Sequence, residues 1–162
     1  IDRMAKLDAL VAGSIFAHGV HLSPEEVRTC AESGCFLVQN PRSNKGNRVG
    51  YPAALRESSR VALGTDGYPA DMLAERDALR LEARAHGDDL AAAEARLTAG
   101  DTLATELFGD GDAVRAFAAQ GNLSVGGRLL VEEGRLLGCD LEAIRAHARE
   151  QAPRLFQRMA AL

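Results

Sequence analysis

Three short apolar runs divide the first half of the chain, at Ser14–Ala17, Cys35–Val38 and Arg60–Leu63. Each run contains β-branched or aromatic side chains, is short for a helix and stops at polar residues, which predicts a buried strand. The three strands are apolar almost throughout, so we expect both faces of their sheet to be covered.

Helix signals lie between the predicted strands. Ser23 can act as an N-cap, Pro24 then takes the first helical position, and Glu26 can close a capping box. Gly34 is the expected end of that helix. The strand–helix repeat implies right-handed crossovers and a parallel sheet, and therefore an α/β fold. Elsewhere we predict a polar loop over Arg42–Gly50, and helices over Pro52–Ser58, Asp71–Ala85 and Leu90–Leu107, the last interrupted at Gly100-Asp101.

The pattern changes near residue 109. A helix is predicted over Ala113–Ala119, after a turn at Gly109–Asp112. Leu123–Val131 reads as a β-hairpin on a two-residue Gly-Gly turn, and the chain turns again after Glu132. Asp140 is the expected cap of a last helix, which Pro153 should kink or divide because a proline breaks the helical hydrogen-bond ladder.

Polar residues gather just after each predicted strand. Ligand sites of parallel α/β folds lie at the carboxyl edge of the sheet, so these positions predict a site there. They are His18 and His21, then Asn40, Ser43 and Asn44, and finally Thr65 and Asp66.

Asp66 and His18 are the strongest candidates for chemistry. A carboxylate in Gly-Thr-Asp-Gly at the tip of a strand could cap a turn, bind a metal ion or accept a proton. His18 could be a hydrogen-bonded structural residue, or it could orient a water molecule beside that carboxylate. His21 follows too closely in extended structure to form a chelating pair with His18.

The composition narrows the possible partners of this 162-residue chain. A net charge of −4 without a basic stripe argues against nucleic acid. No apolar run approaches the roughly 20 residues of a membrane span. Three cysteines without a C-x-x-C pair exclude a zinc ribbon and make disulfides unexpected, which favours the cytoplasm. Because the chain opens without Met in what reads as the end of a helix, we also expect a piece of a longer protein.

Three segments resemble, in order and spacing, consecutive motifs of the amidohydrolase superfamily: Ala17–Leu22, Asn40–Asn44 and Leu63–Gly67. The branch they resemble contains guanine deaminase, adenosine-type deaminases and triazine chlorohydrolases. Gly46–Gly50 and Asp66–Met72 look most like the aminohydrolases linked to selenium metabolism. Leu123–Leu137 is similar to strands of the family's small β-sandwich domain, and Glu142–Met159 is similar to its closing helix.

The resemblance implies a fold and a set of roles. Residues 1–108 would be the carboxy-terminal half of a (β/α)8 barrel, a partial TIM barrel with strands six to eight, and residues 109–162 a remnant of the small β domain. Asp66 would bind zinc (or iron or manganese) and shuttle a proton, and His18 would contact the attacking water or the substrate. The implied reaction is hydrolytic deamination or dechlorination of a purine, pyrimidine or triazine-like ring. The residues implied near the substrate are His21, Asn40, Ser43 and Asn44.

The chain also departs from the family pattern. The H-x-H pair and the strand-five histidine of the family, its main metal ligands, have no counterpart, and a barrel takes about 250 residues. Gln39 stands where a histidine is usual. We therefore expect the chain to need the missing amino-terminal half of the barrel, and to be inactive and to retain no metal alone.

Three functions stay open at this stage. The chain could be one piece of a zinc aminohydrolase that acts on a small heterocyclic substrate, with homo-oligomers expected. It could instead be a non-catalytic half-barrel that dimerises or binds a partner through its open sheet edges. A free-standing small-ligand domain is disfavoured because a glycine-rich phosphate loop is missing.

Overall fold

The computed structural model describes residues 1–109, the backbone of 116–119, and residues 122–161. The chain folds into two compact units, Ile1–Gly109 and Asp110–Leu162. The first unit is a mixed α/β unit with a three-stranded parallel sheet in the order β1-β2-β3. Its strands are β1 (Ile15–Ala17), β2 (Phe36–Gln39) and β3 (Val61–Leu63), and its helices are α1 (Asp2–Ala5), α2 (Pro24–Glu32), α3 (Pro41–Gly46), a 3₁₀ helix (Ala53–Glu57), α4 (Met72–Ala85) and α5 (Leu90–Phe108).

Helix α2 begins with the predicted capping box. The Ser23 hydroxyl accepts the Glu26 backbone N–H, and the Glu26 carboxylate accepts the Ser23 backbone N–H. Gly34 follows the helix with a φ of 73°, a left-handed conformation that glycine adopts without steric cost. These contacts confirm the predicted start and end of α2, because each depends on residues close together in sequence.

The main core lies between the sheet and α2. Leu37 and Val61 are paired across β2 and β3, and they pack with Val27, Cys30 and Leu55, all nearly inaccessible to solvent. Burying a side chain of this kind stabilises a fold by about 1.5–3 kcal/mol. This core fixes the strand directions and so decides which loops meet at the carboxyl edge of the sheet.

The expectation that both faces of every strand are covered is wrong for β1. Ile15 is 49% exposed, and Ala17 on the same face is also exposed, whereas Phe16 packs against the core. The register pairs Ala17 with Val38, so this open surface continues onto a half-buried residue of β2.

Two local predictions are wrong in the first unit. The predicted loop Arg42–Gly50 begins as helix α3, in which Pro41 takes the first helical turn directly after β2. Helix α5 runs unbroken through Gly100, and it packs along β3 and α4. Tertiary packing outweighs the roughly 1 kcal/mol that a glycine costs within a helix.

Where the structure describes the second unit, it contains one helix, α6 (Leu141–Ala160), and an antiparallel sheet whose strands neighbour each other in chain order: β4 (Ala116–Ala119), β5 (Asn122–Val125), β6 (Arg128–Glu132) and β7 (Arg135–Leu136). Gly126 and Gly127 join β5 to β6 with φ values of 58° and 71°, which confirms the predicted hairpin turn. Residues 116–119 are a strand paired with β5 instead of the predicted helix, because cross-strand pairing overrides alanine's helix preference.

Helix α6 starts at the predicted cap, where the Asp140 side chain accepts the Ala143 N–H. It continues past Pro153, so the proline does not divide it. The predicted turn over Asp110–Asp112 and the first residues of the predicted Ala113–Ala119 helix lie outside the described residues. Among the helices that the structure describes, none is long and apolar enough to cross a membrane.

Candidate functional site

The carboxyl ends of the three parallel strands bring four polar side chains together. His18 follows β1, Ser43 and Asn44 lie on α3 directly after β2, and Asp66 follows β3. These four residues form two hydrogen-bonded pairs that lie side by side, and they are called the strand-end cluster below. Its location agrees with the predicted site, because parallel strands present their carboxyl ends at the same edge.

Hydrogen bonds link the cluster in two pairs. The Ser43 hydroxyl donates to Asp66 Oδ2 at 2.5 Å, and His18 Nδ1 lies 2.8 Å from Asn44 Oδ1. The Asn44 oxygen can only accept, so the His18 proton lies on Nδ1. His18 Nε2 then carries a free lone pair in the neutral ring, 3.8 Å from Asp66 Oδ2.

Two residues of the cluster, His18 and Asp66, have strained backbones. His18 has a φ of 69° and Asp66 a φ of 50°, in the left-handed region that is sparsely populated by residues other than glycine. Such conformations cost about 1–3 kcal/mol and persist where surrounding contacts enforce them. The His18 backbone N–H donates to the Val38 carbonyl at 2.7 Å, which holds its turn against β2.

The surroundings of Asp66 favour its ionised form. The Ser43 hydroxyl lowers the pKa of the Asp66 carboxyl below its ordinary value, and the Gly67 backbone N–H and the nearby His18 act in the same direction. Because 43% of its side chain is exposed, Asp66 remains open to a ligand. An ionised, accessible carboxylate of this kind suits a metal ligand or a proton acceptor.

Helix α3 is held in place from its amino-terminal end. The backbone N–H of Arg42 donates to the Glu75 carboxylate at 2.9 Å, and the Arg42 side chain pairs with the same buried carboxylate. Asn47, one turn after Ser43, donates to the Ser43 hydroxyl at 3.1 Å. Sequence reasoning missed these supporting residues. Recognising Pro41 as a helix start would have placed Ser43 and Asn47 on one helical face.

The loop that carries Asp66 is also tied to α3. Arg42 donates to the Pro69 carbonyl at 2.7 Å and stacks over the Tyr68 ring at 5.5 Å. The Tyr68 hydroxyl lies so close to Gly46 that a Cβ there would come within 2.0 Å of it. Gly46 therefore allows the close approach that fixes the loop after β3.

Two residues implied near the substrate stand apart from the cluster. The Asn40 side chain is buried beside Gly64, and within the described part of the chain its Oδ1 has no hydrogen-bond partner. His21 is exposed, and none of the described side-chain hydrogen bonds joins it to the cluster. The structure thus groups His18, Ser43, Asn44 and Asp66, with Asn40 next to them and His21 on the surface.

A second set of polar side chains lies close to the end of β2 and is called the buried network below: Gln39, Tyr51, Asp88 and Arg96. Arg96 donates to Gln39 Oε1 at 2.5 Å and to Asp88 Oδ2 at 3.2 Å. Tyr51 donates to the same Asp88 oxygen at 2.5 Å, and its ring stacks on His86. Burial, followed by the Asp88 hydrogen bond, raises the pKa of Tyr51 to about 12.

The donor set at the strand ends fits part of a metal site. A carboxylate and an imidazole suit zinc, but a catalytic zinc usually takes three protein ligands. Over residues 1–109, 116–119 and 122–161, no group of three or more His, Cys, Asp or Glu side chains is placed to hold a metal ion.

No protein-family model matches the chain. Two curated relatives share part of its sequence, and both are named 5-methylthioadenosine/S-adenosylhomocysteine deaminase. The protein from Haloquadratum walsbyi is 42% identical over 97 residues, which cover 55% of this chain and 22% of the relative. The protein from Halobacterium salinarum is 39% identical over 70 residues, which cover 41% of this chain and 16% of the relative. The matched region is thus a minor part of each relative.

One solved structure has the same fold over most of the chain. It is an adenosine deaminase from Xanthomonas campestris with bound zinc, and it matches with a TM-score of 0.69 at 22% sequence identity. The match covers 96% of this chain and 45% of that protein. The shared fold and the deaminase relatives together support the resemblance to the amidohydrolase superfamily that the three motifs imply.

Proposed function

We propose that this chain is the carboxy-terminal part of a zinc-dependent aminohydrolase, a partial (β/α)8 barrel whose strand-end cluster forms one side of the active site. The observation that carries the proposal is the convergence of His18, Ser43, Asn44 and Asp66 at one sheet edge, with hydrogen bonds of 2.5 and 2.8 Å. The deaminase relatives and the zinc-containing neighbour support it. The chain spans less than half of that neighbour, so the remaining barrel strands are its proposed partner.

The proposed reaction replaces an amino group on a purine ring with oxygen. Water adds to the ring carbon that bears the amine, and the amine leaves as ammonia after it gains a proton. The substrate class that we favour is an adenosine with a thioether substituent at its 5′ position, because both relatives carry that substrate in their names.

Each residue of the cluster has a role in this proposal. Asp66 is ionised, so it can accept a proton from the attacking water and return it to the leaving amine. His18 Nε2 can accept a hydrogen bond from that water, because Asn44 holds the ring proton on Nδ1. Ser43 keeps the Asp66 carboxylate in position. A bound zinc ion would supply an activated water nucleophile.

The test is an assembly of this chain with the segment that supplies the remaining barrel strands. We expect the assembly to contain zinc, measured by elemental analysis, and to release ammonia from 5′-methylthioadenosine, S-adenosylhomocysteine or adenosine. The substitution Asp66→Asn should lower kcat by about 10²–10⁴-fold, because it removes the group that moves the proton.

Asp8→Asn is the matched control, because Asp8 is also an exposed aspartate with a left-handed φ, 52°, but does not belong to the cluster. It should leave ammonia release unchanged. An assembly that folds, binds zinc and releases no ammonia from any of the three substrates would contradict the proposed reaction. An assembly that binds no metal would contradict the proposed enzyme class.

The open face of β1 favours one other function, a non-catalytic half-barrel that pairs with a second copy or another protein. Ile15 and Ala17 are exposed apolar residues on β1, which lies at the edge of the sheet in the part of the chain that the structure describes. Sedimentation of the chain alone should then show a dimer, and Ile15→Glu should dissociate it. The two functions differ in the assembled protein, because only the enzyme releases ammonia.

A further inference from the structure

A small cavity lies beside α3, between the buried network and the strand-end cluster. Gln39, Asn44, Tyr51 and Glu82 are among the residues that line it, and its volume is about 10 Å³. That volume is close to the lower limit for one enclosed water molecule, about 10–15 Å³. The polar lining matters because an enclosed water needs two to four polar partners.

The orientation of the Gln39 amide follows from its contact with Arg96. A guanidinium can only donate, so the Gln39 oxygen must be the atom that faces Arg96. The Gln39 nitrogen, Nε2, is then a fully buried donor without a partner among the described residues.

Asn44 presents a second donor of the same kind. Its oxygen accepts the His18 Nδ1–H, and its nitrogen, Nδ2, is buried without a partner among the described side chains and backbone groups. Two donors cannot pair with each other, and each buried donor left unpaired costs about 1–3 kcal/mol. Gln39 and Asn44 both line the cavity, and one water molecule placed there can accept a hydrogen bond from each of the two donors.

We infer that a buried water molecule bridges Gln39 Nε2 and Asn44 Nδ2, and that Gln39 is thereby a positioning residue for His18. The water holds the Asn44 nitrogen in the cavity, and so keeps the Asn44 oxygen against His18 Nδ1. The His18 proton then stays on Nδ1, and the Nε2 lone pair faces Asp66. With the Asn44 amide reversed, His18 would have to carry its proton on Nε2.

The meaning of this bridge for catalysis rests on the proposed function, but the bridge can be measured in the chain itself. The ¹⁵N shifts of the two ring nitrogens report which one carries the proton, and the chain has only four histidines to assign. The spectra are recorded at alkaline pH, on the plateau where the ring-nitrogen shifts no longer change with pH. We expect the wild-type His18 proton on Nδ1, together with nuclear Overhauser contacts between a bound water and the Asn44 side-chain amide.

Two substitutions at Gln39 separate the bridge from simple packing. Gln39→Met keeps the length of the side chain but removes the donor, so the two ring-nitrogen shifts of His18 should move toward each other as the second tautomer is populated. Gln39→Glu can still accept from Arg96 and can hold the water as an acceptor, so it should keep the wild-type shifts. Leu79→Ala, which removes a fully buried core side chain away from the cavity, controls for lost stability and should also keep them.

Three results would overturn the inference: a wild-type ring that carries its proton on Nε2, no bound water near the Asn44 amide, or a Gln39→Met shift that Gln39→Glu or Leu79→Ala reproduces. The wild-type measurements decide the matter even if Gln39→Met fails to fold. They also stand apart from the proposed function, because an assembly that releases no ammonia leaves the tautomer and the bound water unchanged.

Discussion

The strand-end cluster and the buried network lie close together near the end of β2, yet their surroundings differ. In the cluster, the side chains of His18 and Asp66 are 41% and 43% exposed and both residues have strained backbones. In the network, the side chains of Arg96 and Asp88 are 3% and 2% exposed and are paired with each other. Removing one partner of a buried pair destabilises a fold because the other charge is left unpaired, whereas exposed groups on strained turns are available to a ligand.

The comparison therefore separates two kinds of residue that look alike in sequence. Substitutions in the network should act mainly on the free energy of unfolding. Substitutions in the cluster should act mainly on chemistry and change stability little. The predictions below test this division, from the largest expected effect on stability to the smallest.

Arg96→Met should produce the largest loss of stability. It leaves the buried Asp88 carboxylate without its cation and the Gln39 oxygen without its donor, and breaking a buried pair in this way costs about 3–5 kcal/mol. Urea unfolding of the chain measures the loss. The control is Arg145→Met, which removes an exposed pair with Glu142 on α6 and should change stability by less than about 1 kcal/mol. If Arg96→Met and Arg145→Met lowered the free energy of unfolding equally, the buried pair would matter no more for stability than the exposed one, which would contradict the prediction.

Tyr51 should make the stability of the chain sensitive to alkali. Its folded pKa is about 12 and its unfolded pKa about 10, so the folded state favours the protonated phenol. Its contribution is complete below about pH 10 and is lost as the pH rises through about 12. The difference in unfolding free energy between wild type and Tyr51→Phe, measured across that range, isolates this contribution from other groups. A difference that does not vary with pH would contradict it.

Ser43→Ala should have a smaller effect, which appears in the titration of Asp66. The Ser43 hydroxyl is the largest cause of the lowered Asp66 pKa, so its removal should raise that pKa toward the ordinary value. Because Asp66 is exposed, solvent weakens this hydrogen bond, and the loss of stability at neutral pH should be small. The ¹³C shift of the Asp66 carboxyl measures the titration.

Linkage sets the direction of the pH dependence for Ser43→Ala. Stability that comes from a lowered aspartate pKa is present above the unfolded value, about 3.9, and is lost as the pH falls through the folded value. The variant should show less of this acid-induced loss. Ser14→Ala, at the opposite end of β1, is the control and should leave the Asp66 titration as in the wild type.

Asp66→Asn should have the smallest effect on stability. Asparagine keeps the shape of the side chain, tolerates the left-handed φ of 50° and can still accept from Ser43. We expect the free energy of unfolding to stay close to that of the wild type. Urea unfolding of this variant beside Arg96→Met completes the comparison. A loss as large as that of Arg96→Met would make Asp66 a structural residue.

Much of the first unit could be predicted from local signals. The three strands, the Ser23 capping box and the Asp71 cap of α4 depend on residues within a few positions of one another. The predictions are wrong where the local conformational preference of a segment competes with its packing against the rest of the fold. The sequence predicts a loop in place of α3 because Arg42–Gly50 lacks an apolar stripe, and it predicts a break in α5 because Gly100 disfavours a helix in isolation.

For the site, local sequence signals suffice to predict His18, Ser43, Asn44 and Asp66 after parallel strands, because strand ends can be found from apolar runs that stop at polar residues. The atoms that meet are known from the folded structure alone: Ser43 with Asp66, His18 with Asn44, and Gln39 with Arg96, whose positions are 57 residues apart. These contacts depend on the packing of α3 and α5 against the sheet, and the order of residues along the chain carries no direct signal for such long-range packing.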